Sequence, residues 1–411
     1  MKTTKISQVN EKKSVVMEKK SLVMRKLSLA CLGTALCAVA ALAQVSTKQA
    51  GPTGDNIDEP NTSPVAYVYV ANGDITAYSA ASNGKLTPIP GSPFSGSVGY
   101  LAGNGKYLFV STLSTTDIET YAIESNGALH YVASENAASA DGGCGNATTI
   151  FTDHTGETLY DLAYGGFHCS KNTFEEFSIN QSTGKLTYLG LGGDNNQING
   201  SLSFTGNDLF AYSAYCYRNE TSIFGFKRSS DGKLTKLNIN PAFPDAPEND
   251  QYCPLVAESD PSGHLAVSMQ AFNPESEVDF GPILLATYTV SSSGNLTTSS
   301  TTKNMPAVNV GENINAMTSS PSGKLLAVAG TVGLQVFHFN GDNPITHYTE
   351  LLNSADVYQI FWDNSNHLYA ISATANKLWV FTVTPTGYSQ APGSPYSIDS
   401  PQSLRVMPLA Q

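Results

Sequence analysis

The sequence has few charged residues and little that is typical of helical proteins. Asp, Glu, Lys and Arg make up 14% of the 411 residues. Beyond the N-terminus, no long stretch places apolar residues at the spacing of an α-helix, which excludes a helical bundle or coiled coil. Gly, Ser, Thr, Asn and Tyr are abundant instead, and this composition favours many short strands joined by tight turns.

Several motifs that carry chemistry are also missing. The sequence contains no C-x-x-C, H-E-x-x-H, G-x-S-x-G, phosphate-binding loop or calcium-binding D-x-[DN]-x-[DN]-G motif. A zinc protease, a serine hydrolase with a nucleophile elbow, a P-loop enzyme and an EF-hand protein are therefore not indicated. We predict neither a metal ion nor a cofactor.

The first 43 residues have the pattern of a secretory signal peptide. A basic segment is followed by the apolar run "LSLACLGTALCAVAALAQ", in which Ala41-Leu42-Ala43 forms a cleavage site. A start at Met24 would give a more compact signal. The alternatives are a retained anchor helix, for which the run is slightly short, and a lipoprotein signal at Cys31. We predict cleavage after Ala43, and hence an exported protein that has no membrane segment after cleavage.

The mature chain is strongly acidic. Residues 1–43 hold eight Lys or Arg and two Glu, so their removal leaves 14 basic and 32 acidic residues, a net charge of −18. Only three arginines remain, Arg218, Arg228 and Arg405. Binding to nucleic acid or anionic membrane needs clustered basic residues, so neither partner is expected. Residues 44–64 are rich in polar residues and predicted to be a disordered linker.

A short sequence motif, here called the phrase, is repeated along residues 65–411. "SNGKLTPIPGSPF" (82–94) and "TGYSQAPGSPY" (386–396) are nearly the same phrase, and related Gly-containing turns occur at 125–132, 182–189, 230–237, 292–299 and, more weakly, 340–348. Each turn follows a strand pattern and is preceded by a second predicted hairpin. Four strands, A to D, in every 43 to 62 residues are typical of a β-propeller blade. We therefore predict an all-β, seven-bladed β-propeller with four-stranded blades.

The two ends of the repeat region complement each other. Residues 65–72 form a B strand that lacks a preceding A strand, and residues 403–409 form an A strand that lacks a following B strand. We predict that the C-terminal strand joins the N-terminal blade and closes the ring, which would remove exposed sheet edges. An open stack of sheets is the alternative. The ring would be a single domain, 65–411, and a monomer.

The repeats resemble those of a known enzyme family. "YVYVANGDITAYSA", "GKLTPIPGSPF" and "PSGKLLAV" look like the repeats of the lactonase-type seven-bladed propellers, which include bacterial 6-phosphogluconolactonase and carboxymuconate cyclases. The likeness covers residues 65–409. It implies a propeller fold and, for the activity, a lactone hydrolase. These phrases build strands and turns, however, so they do not by themselves identify a reaction.

The long insertions are predicted to lie on one face of the ring, here called the loop face. They are the D-to-A and B-to-C connections, whereas the short Gly turns lie on the opposite face. Binding sites commonly occur in such loops. All four cysteines of the mature chain fall there, and an exported chain permits disulfides. Three connectivities are possible, and we favour Cys144–Cys169 and Cys216–Cys253.

The titratable candidates lie on the same face. His168, Glu220 or Glu312 would be the base that activates water, and Arg218 would stabilise the developing oxyanion. The residues predicted to bind substrate are Tyr215, Tyr217 and Asp194. In the alternative interpretation, His168 packs beside a disulfide and Arg218 pairs with a nearby acid. His154, His264 and His367 fall in A-to-B turns and are predicted to be surface residues.

Two hypotheses for function follow. The first is an exported lactonase-like propeller that hydrolyses a small lactone at the channel mouth, and the second is a non-catalytic propeller that binds a glycan, a peptide or a cell-envelope partner. The resemblance would lead one to look for a G-P-R-H phrase, but residues 311–315 are GENIN. Because the arginine and histidine are replaced and the chain is acidic, a phosphorylated lactone is not favoured. A small lactone or carbohydrate remains the predicted partner.

Overall fold

The computed structural model describes residues 63–112, 115–137, 149–163, 173–192, 202–217, 220–247, 250–276 and 278–410. All of them belong to the unit Pro60–Gln411. The predicted signal peptide and nearly all of the predicted linker lie outside the described residues. Within the described ranges, no helix has the length and hydropathy needed to cross a membrane.

The described chain folds into β-strands, which confirms the all-β prediction. Sheet 1 contains the N-terminal strands and the last strand of the chain: β1 (Ala66–Ala71), β2 (Gly73–Ala80), β3 (Leu86–Pro88), β4 (Phe94–Gly103), β5 (Tyr107–Thr112), β6 (Asp117–Ile123), β7 (Leu129–Asn136) and β29 (Ser403–Pro408). Its order is β29-β1-β2-β4-β5-β6-β7, with β3 also paired to β2.

Five further sheets follow along the chain. Sheet 2 contains β8 (Ile150–Thr152), β9 (Thr158–Ala163), β10 (Thr173–Ile179) and β11 (Leu186–Gly192). Sheet 3 contains β12 (Ser203–Phe204), β13 (Phe210–Tyr217), β14 (Glu220–Arg228) and β15 (Leu234–Lys236). Sheet 4 contains β16 (Gln251–Ser259), β17 (His264–Asn273), β18 (Val278–Val290) and β19 (Leu296–Thr297).

The last two sheets complete the described chain. Sheet 5 contains β20 (Ile314–Ser319), β21 (Leu325–Gly330), β22 (Gly333–His338) and β23 (Thr346–His347). Sheet 6 contains β24 (Gln359–Trp362), β25 (His367–Ser372), β26 (Lys377–Thr384), β27 (Gly387–Gln390) and β28 (Tyr396–Ser397). Each strand pairs antiparallel with its neighbours, as expected for consecutive hairpins.

The number of separate blades differs from the prediction. Only sheets 2 to 6 stand alone as four- or five-stranded blades, so there are five rather than seven. The strands predicted to form the first two blades instead share sheet 1, because β2 pairs with β4 through Gly73↔Val98 and Ile75↔Phe94. The predicted closure is confirmed, since β29 pairs with β1 from Ala66↔Pro408 to Ala71↔Ser403.

Apolar clusters join each sheet to the next and the last to the first. Separate clusters link sheet 1 to sheet 2, sheet 2 to 3, sheet 3 to 4, sheet 4 to 5 and sheet 5 to 6. Another cluster packs Tyr369 and Leu378 of sheet 6 against Val68 and Leu404 of sheet 1. The sheets therefore form a propeller-like ring, whose core lies between the blades.

The repeated Gly turns hold neighbouring strand sets together. Gly127 has φ 84° and Gly294 has φ 82°, a backbone conformation that favours glycine. Their carbonyl oxygens accept hydrogen bonds from the hydroxyls of Tyr69 and Tyr212, each 2.8 Å long. A Cβ at Gly127 would lie 2.7 Å from the ring of Tyr67. The turn phrase is thus repeated because both its conformation and its packing require glycine.

The duplicated "GSP" phrases occupy equivalent places. Ser92 Oγ accepts a hydrogen bond of 2.8 Å from the amide of Ala77 in β2, and Ser394 Oγ accepts one of 2.9 Å from Val380 in β26. Ser92-Pro93 and Ser394-Pro395 are both cis. Two segments about 300 residues apart in sequence therefore make the same contact, each with the C strand of its own strand set.

Candidate functional site

The first strand of each set lies innermost in the ring. β4 lies against β8 and β29, β16 lies against β12 and β20, and β24 lies against β20 and β29. The short Gly turns join the third and fourth strands of each set, which are farther from the middle of the ring. We call β29, β4, β8, β12, β16, β20 and β24 the inner strands. Their side chains surround the middle of the ring, where ligands of such folds can enter from the loop face.

Polar side chains bridge consecutive inner strands near the loop face. Gln359 Oε1 accepts a hydrogen bond of 2.7 Å from the Leu404 amide, and Ser403 Oγ accepts one of 3.0 Å from the Leu101 amide. Asn315 Nδ2 donates to the Val357 carbonyl at 2.9 Å. Neighbouring inner strands are therefore held together by hydrogen bonds from side chains to backbone groups, and not by backbone pairing within one sheet.

Two tyrosines stand at the loop-face end of the inner strands. Tyr358 directly precedes β24, and its hydroxyl donates to the carbonyl oxygen of Gln402. Burial and the neighbouring hydroxyl of Tyr100 raise the pKa of Tyr358 to about 12. At neutral pH the Tyr358 side chain is therefore an uncharged hydroxyl, which suits hydrogen bonds to a sugar or lactone better than acid–base catalysis.

Glu258 of β16 joins three sheets from the inner side. Its Oε1 accepts a hydrogen bond of 2.9 Å from the Ser319 amide in sheet 5, and its Oε2 accepts one of 3.1 Å from Ser203 Oγ in sheet 3. Burial raises the pKa of Glu258 to about 7, although these two hydrogen bonds and His154 oppose the increase. A carboxyl group with such a pKa can hold or release a proton near neutral pH.

The raised pKa makes a prediction about stability. The unfolded carboxyl titrates near 4.5 and the folded one near 7, so the folded state binds the proton more tightly. The stability from Glu258 is therefore fully present below pH 4.5 and is lost as the pH rises from there through 7, by roughly 3 kcal/mol. We expect the free energy of unfolding of Glu258→Gln, measured in urea, to decrease less between pH 4.5 and pH 7 than that of the wild type.

Glu176 supplies the control for that experiment. It is buried in β10, and burial raises its pKa to about 7 as well. Its Oε1 accepts a hydrogen bond of 2.7 Å from the Leu234 amide. Glu176→Gln and Glu258→Gln should each remove part of the pH dependence of the free energy of unfolding. In the double variant the two effects should add. An unchanged pH profile in Glu258→Gln would contradict the prediction.

Two buried carboxylates lie at the loop-face end of sheet 2. Asp161 of β9 and Glu175 of β10 are directly opposite each other, and both are 0% exposed. β9 ends at Ala163 and β10 begins at Thr173, so the segment between them, which carries His168, starts and ends next to this pair. The sequence did not predict this pair, because "TFEEFSI" (173–179) also fits an ordinary strand pattern. Two consecutive acids within an apolar strand were the available signal.

The described ranges contain only some of the predicted site residues. His168, Arg218, Asp194, Cys144 and Cys169 lie outside the described residues. Tyr217 and Glu220 pair as the ends of β13 and β14 at the loop face, and their side chains are not described.

The other two predicted residues lie in different sheets. Tyr215 is half-buried in sheet 3 with its ring 5.8 Å from that of Phe224, and Glu312 is exposed before β20 of sheet 5. Sheet 4 lies between them. The structure thus brings Tyr217 next to Glu220 but does not bring Glu312 to this end of sheet 3.

One of the favoured disulfides is present. Cys216 of β13 and Cys253 of β16 are bonded, with their Cα atoms 5.3 Å apart. The bond joins sheet 3 to sheet 4 close to the end of β13 that carries Tyr217. It therefore anchors the strand that leads into the predicted Arg218 segment.

The prediction that the A-to-B histidines are surface residues is wrong for His367. His367 is buried, its Nδ1 lies 2.7 Å from Asp363 Oδ2, and Tyr369 donates to the same oxygen at 2.8 Å. His264 makes a similar contact of 2.8 Å with Asp260. His154 lies 3.1 Å from Asp208, and its side chain is 60% exposed. The turn aspartates orient these rings, which the one-dimensional pattern does not reveal.

Among the described residues, no group of three or more His, Cys, Asp or Glu side chains could hold a metal ion. The polar groups near the loop face include hydroxyls, amides and the Asp161–Glu175 pair. This set can bind an oxygen-rich small molecule, and the carboxylates supply proton acceptors.

Comparison with known proteins identifies the fold. No family model matches the sequence, and no curated protein matches it. Among solved structures, a provisionally named 6-phosphogluconolactonase from Bacteroides fragilis is 13% identical over 85% of this chain and 99% of its own, with a TM-score of 0.61. A counterpart from Bacteroides uniformis is 12% identical over 83% and 99%, with a TM-score of 0.60.

A third similar structure is the periplasmic gluconolactonase of Pseudomonas aeruginosa. It is 11% identical over 83% of this chain and 98% of its own, with a TM-score of 0.60. At such identities the likeness concerns the fold and not the site. The chain therefore has the lactonase-like propeller fold.

Proposed function

We propose that the protein is an exported hydrolase of small, uncharged sugar lactones that acts at the loop face of the ring. The observation that carries this proposal is the pair of buried carboxylates, Asp161 and Glu175, next to the segment that holds His168. The lactonase-like fold agrees with this chemistry. The Tyr358 hydroxyl, which is uncharged at neutral pH, lies beside the Tyr100 hydroxyl, and two such groups suit an uncharged, hydroxyl-rich substrate.

The proposed reaction needs only water and the lactone. His168 or one carboxylate of the pair accepts a proton from water, whose oxygen attacks the lactone carbonyl. Arg218 stabilises the negative oxygen that forms, and the carbon–oxygen bond of the ring then breaks. The proton passes to the leaving ring oxygen, and the product is a hydroxy acid. Glu220 and Glu312 remain alternative candidates for the base. The candidates for substrate contacts at the same face remain Tyr215, Tyr217 and Asp194.

Acid release measured by pH-stat tests the proposal. Purified protein should release acid from gluconolactone well above the spontaneous rate, and from the phosphorylated lactone more slowly. Glu175→Gln and Arg218→Ala should each lose at least about 100-fold in kcat/KM. The matched controls are Glu124→Gln, in the turn after β6, and His130→Ala, in β7; both residues are exposed, and these variants should keep full activity.

Background rates across the lactone panel would contradict hydrolysis. The second hypothesis, a non-catalytic propeller that binds a neutral carbohydrate, would then be favoured by the Tyr100–Tyr358 pair at the inner strands. Calorimetric titration with the same sugars separates the two functions, since binding without turnover supports only the second.

Export is part of the proposal. The N-terminal 43 residues carry the signal pattern, and the Cys216–Cys253 disulfide is typical of oxidising compartments. We likewise propose that sheet 1 combines two blades of a seven-unit ring. Seven apolar clusters between consecutive strand sets support that count.

A further inference from the structure

Two arginines of the described chain are largely enclosed, and they differ in one respect. Arg228 has a carboxylate partner, because its Nε and Nη2 lie 2.8 and 2.6 Å from Asp153 Oδ2. Arg405 has none, since no carboxylate of the described ranges lies within 4.0 Å of it. An enclosed cation without a counter-ion is rare in proteins because its desolvation is not offset.

Arg405 is nevertheless held in a defined position. It lies on the inner strand β29, and its Nη2 donates a hydrogen bond of 2.6 Å to the Gly103 carbonyl of β4. Its guanidinium lies 5.3 Å from the centre of the Phe361 ring in β24. Phe361 and Gly103 belong to the strand sets on either side of β29. The guanidinium is thus clamped between them at the inner side of the ring.

The donors of Arg405 are only partly used. Its Nε is buried without any hydrogen-bond partner, and Nη1 makes no hydrogen bond to the described residues. Burial lowers the pKa of Arg405 to about 10, so the group still carries its charge at neutral pH. The residue as a whole is partly exposed, so its side chain is not completely sealed from solvent.

We propose that Arg405 binds the carboxylate of a small organic acid in the middle of the ring. The planar guanidinium offers Nη1 and the second hydrogen of Nη2 to two carboxylate oxygens, which is the geometry that arginine and carboxylate share. The Phe361 face keeps the guanidinium plane in place. The proposal does not depend on lactone hydrolysis, because it rests on the missing counter-ion of Arg405.

Titration calorimetry with sodium acetate and sodium gluconate tests the site. The mature protein is titrated at constant ionic strength, maintained with sodium chloride, so that general salt effects cancel. We expect saturable binding of one anion per chain with a Kd of about 1 mM. Arg405→Met should abolish it, and Arg405→Lys should weaken it about tenfold because the fork is lost.

Thermal unfolding without added acid gives an independent readout. If the role of Arg405 is to bind a ligand, the Arg405→Met variant should have the same melting temperature as the wild type or a higher one, because the substitution removes an unpaired enclosed charge. Added gluconate should raise the melting temperature of the wild type only. A purely structural arginine would give the opposite result, a lower melting temperature in Arg405→Met and no response to gluconate.

Three outcomes would overturn the proposal. They are the absence of saturable heat up to about 50 mM acid in the wild type, equal binding by the wild type and Arg405→Met, and full binding by Arg405→Lys together with equal binding of chloride. If Arg405→Met does not fold, anion binding by the wild type is compared with binding by Arg405→Lys, and equal binding by the two proteins contradicts the proposal. The lactone assay measures acid release instead of binding, so failure of this proposal and failure of lactone hydrolysis can be told apart.

Discussion

Replacing Arg228 with Met is expected to destabilise the folded protein by about 3–5 kcal/mol. The substitution leaves the buried carboxylate of Asp153 without the guanidinium that lies 2.6 Å away. It also removes the hydrogen bond of 3.1 Å from Nη2 to Thr158 Oγ1. Because Arg228 belongs to sheet 3 and Asp153 follows β8 of sheet 2, the loss should open the contact between two blades. Equilibrium unfolding in guanidinium chloride measures the effect.

Two controls make this experiment specific. The double variant Arg228→Met/Asp153→Asn removes the uncompensated charge as well, and it should recover part of the lost stability. Arg405→Met deletes the same side chain where no carboxylate is paired, and it should not destabilise. If the Arg228 and Arg405 variants lost equal stability, the loss would come from side-chain packing and not from the ion pair.

Removing the Cys216–Cys253 disulfide is expected to cost about 4 kcal/mol, from the entropy of a loop of this length. The bond closes a loop of 37 residues and joins sheet 3 to sheet 4. The double variant Cys216→Ser/Cys253→Ser should therefore unfold at a lower denaturant concentration. Cys253 is buried, so the new hydroxyl adds a smaller cost of its own.

Reduction provides the matched comparison. The wild type in excess reductant should approach the stability of the double variant. The same reductant applied to the double variant reports only on Cys144 and Cys169, the predicted second pair. A double variant as stable as the oxidised wild type would contradict the prediction and would mean that apolar packing between sheets 3 and 4 suffices without the bond.

Local features of the sequence predicted the strands, the turns and the closure of the ring. Alternating residues such as "AYVYVA" (66–71) become strands, and the Gly phrases become turns, because strand periodicity and left-handed φ angles are local properties. The pairing of β29 with β1 followed from unmatched half-blades at the two ends. The Cys216–Cys253 bond was one of the two favoured pairings among the three connectivities that the four cysteines allow.

The count of separate blades could not be obtained in the same way. Whether β2 also pairs with β4 depends on how closely two backbones approach in space, and the residues involved, such as Gly73 and Val98, carry no signal of it. His367 illustrates the same limit. Its turn position suggested exposure, but Asp363, Tyr369 and the neighbouring Gly84 enclose it.

The candidate site likewise combines features that the sequence predicts with features that depend on tertiary packing. By itself, the sequence determined the all-β class, the repeat and the closure of the ring, because each depends on residue type and on the spacing of strands and turns along the chain. Only the tertiary structure decided that Asp161 faces Glu175, that Glu258 bridges Ser203 and Ser319, and that Arg405 lacks the carboxylate that Arg228 has. Burial and partner distance set the charge state of such groups, and both arise only when distant segments pack together.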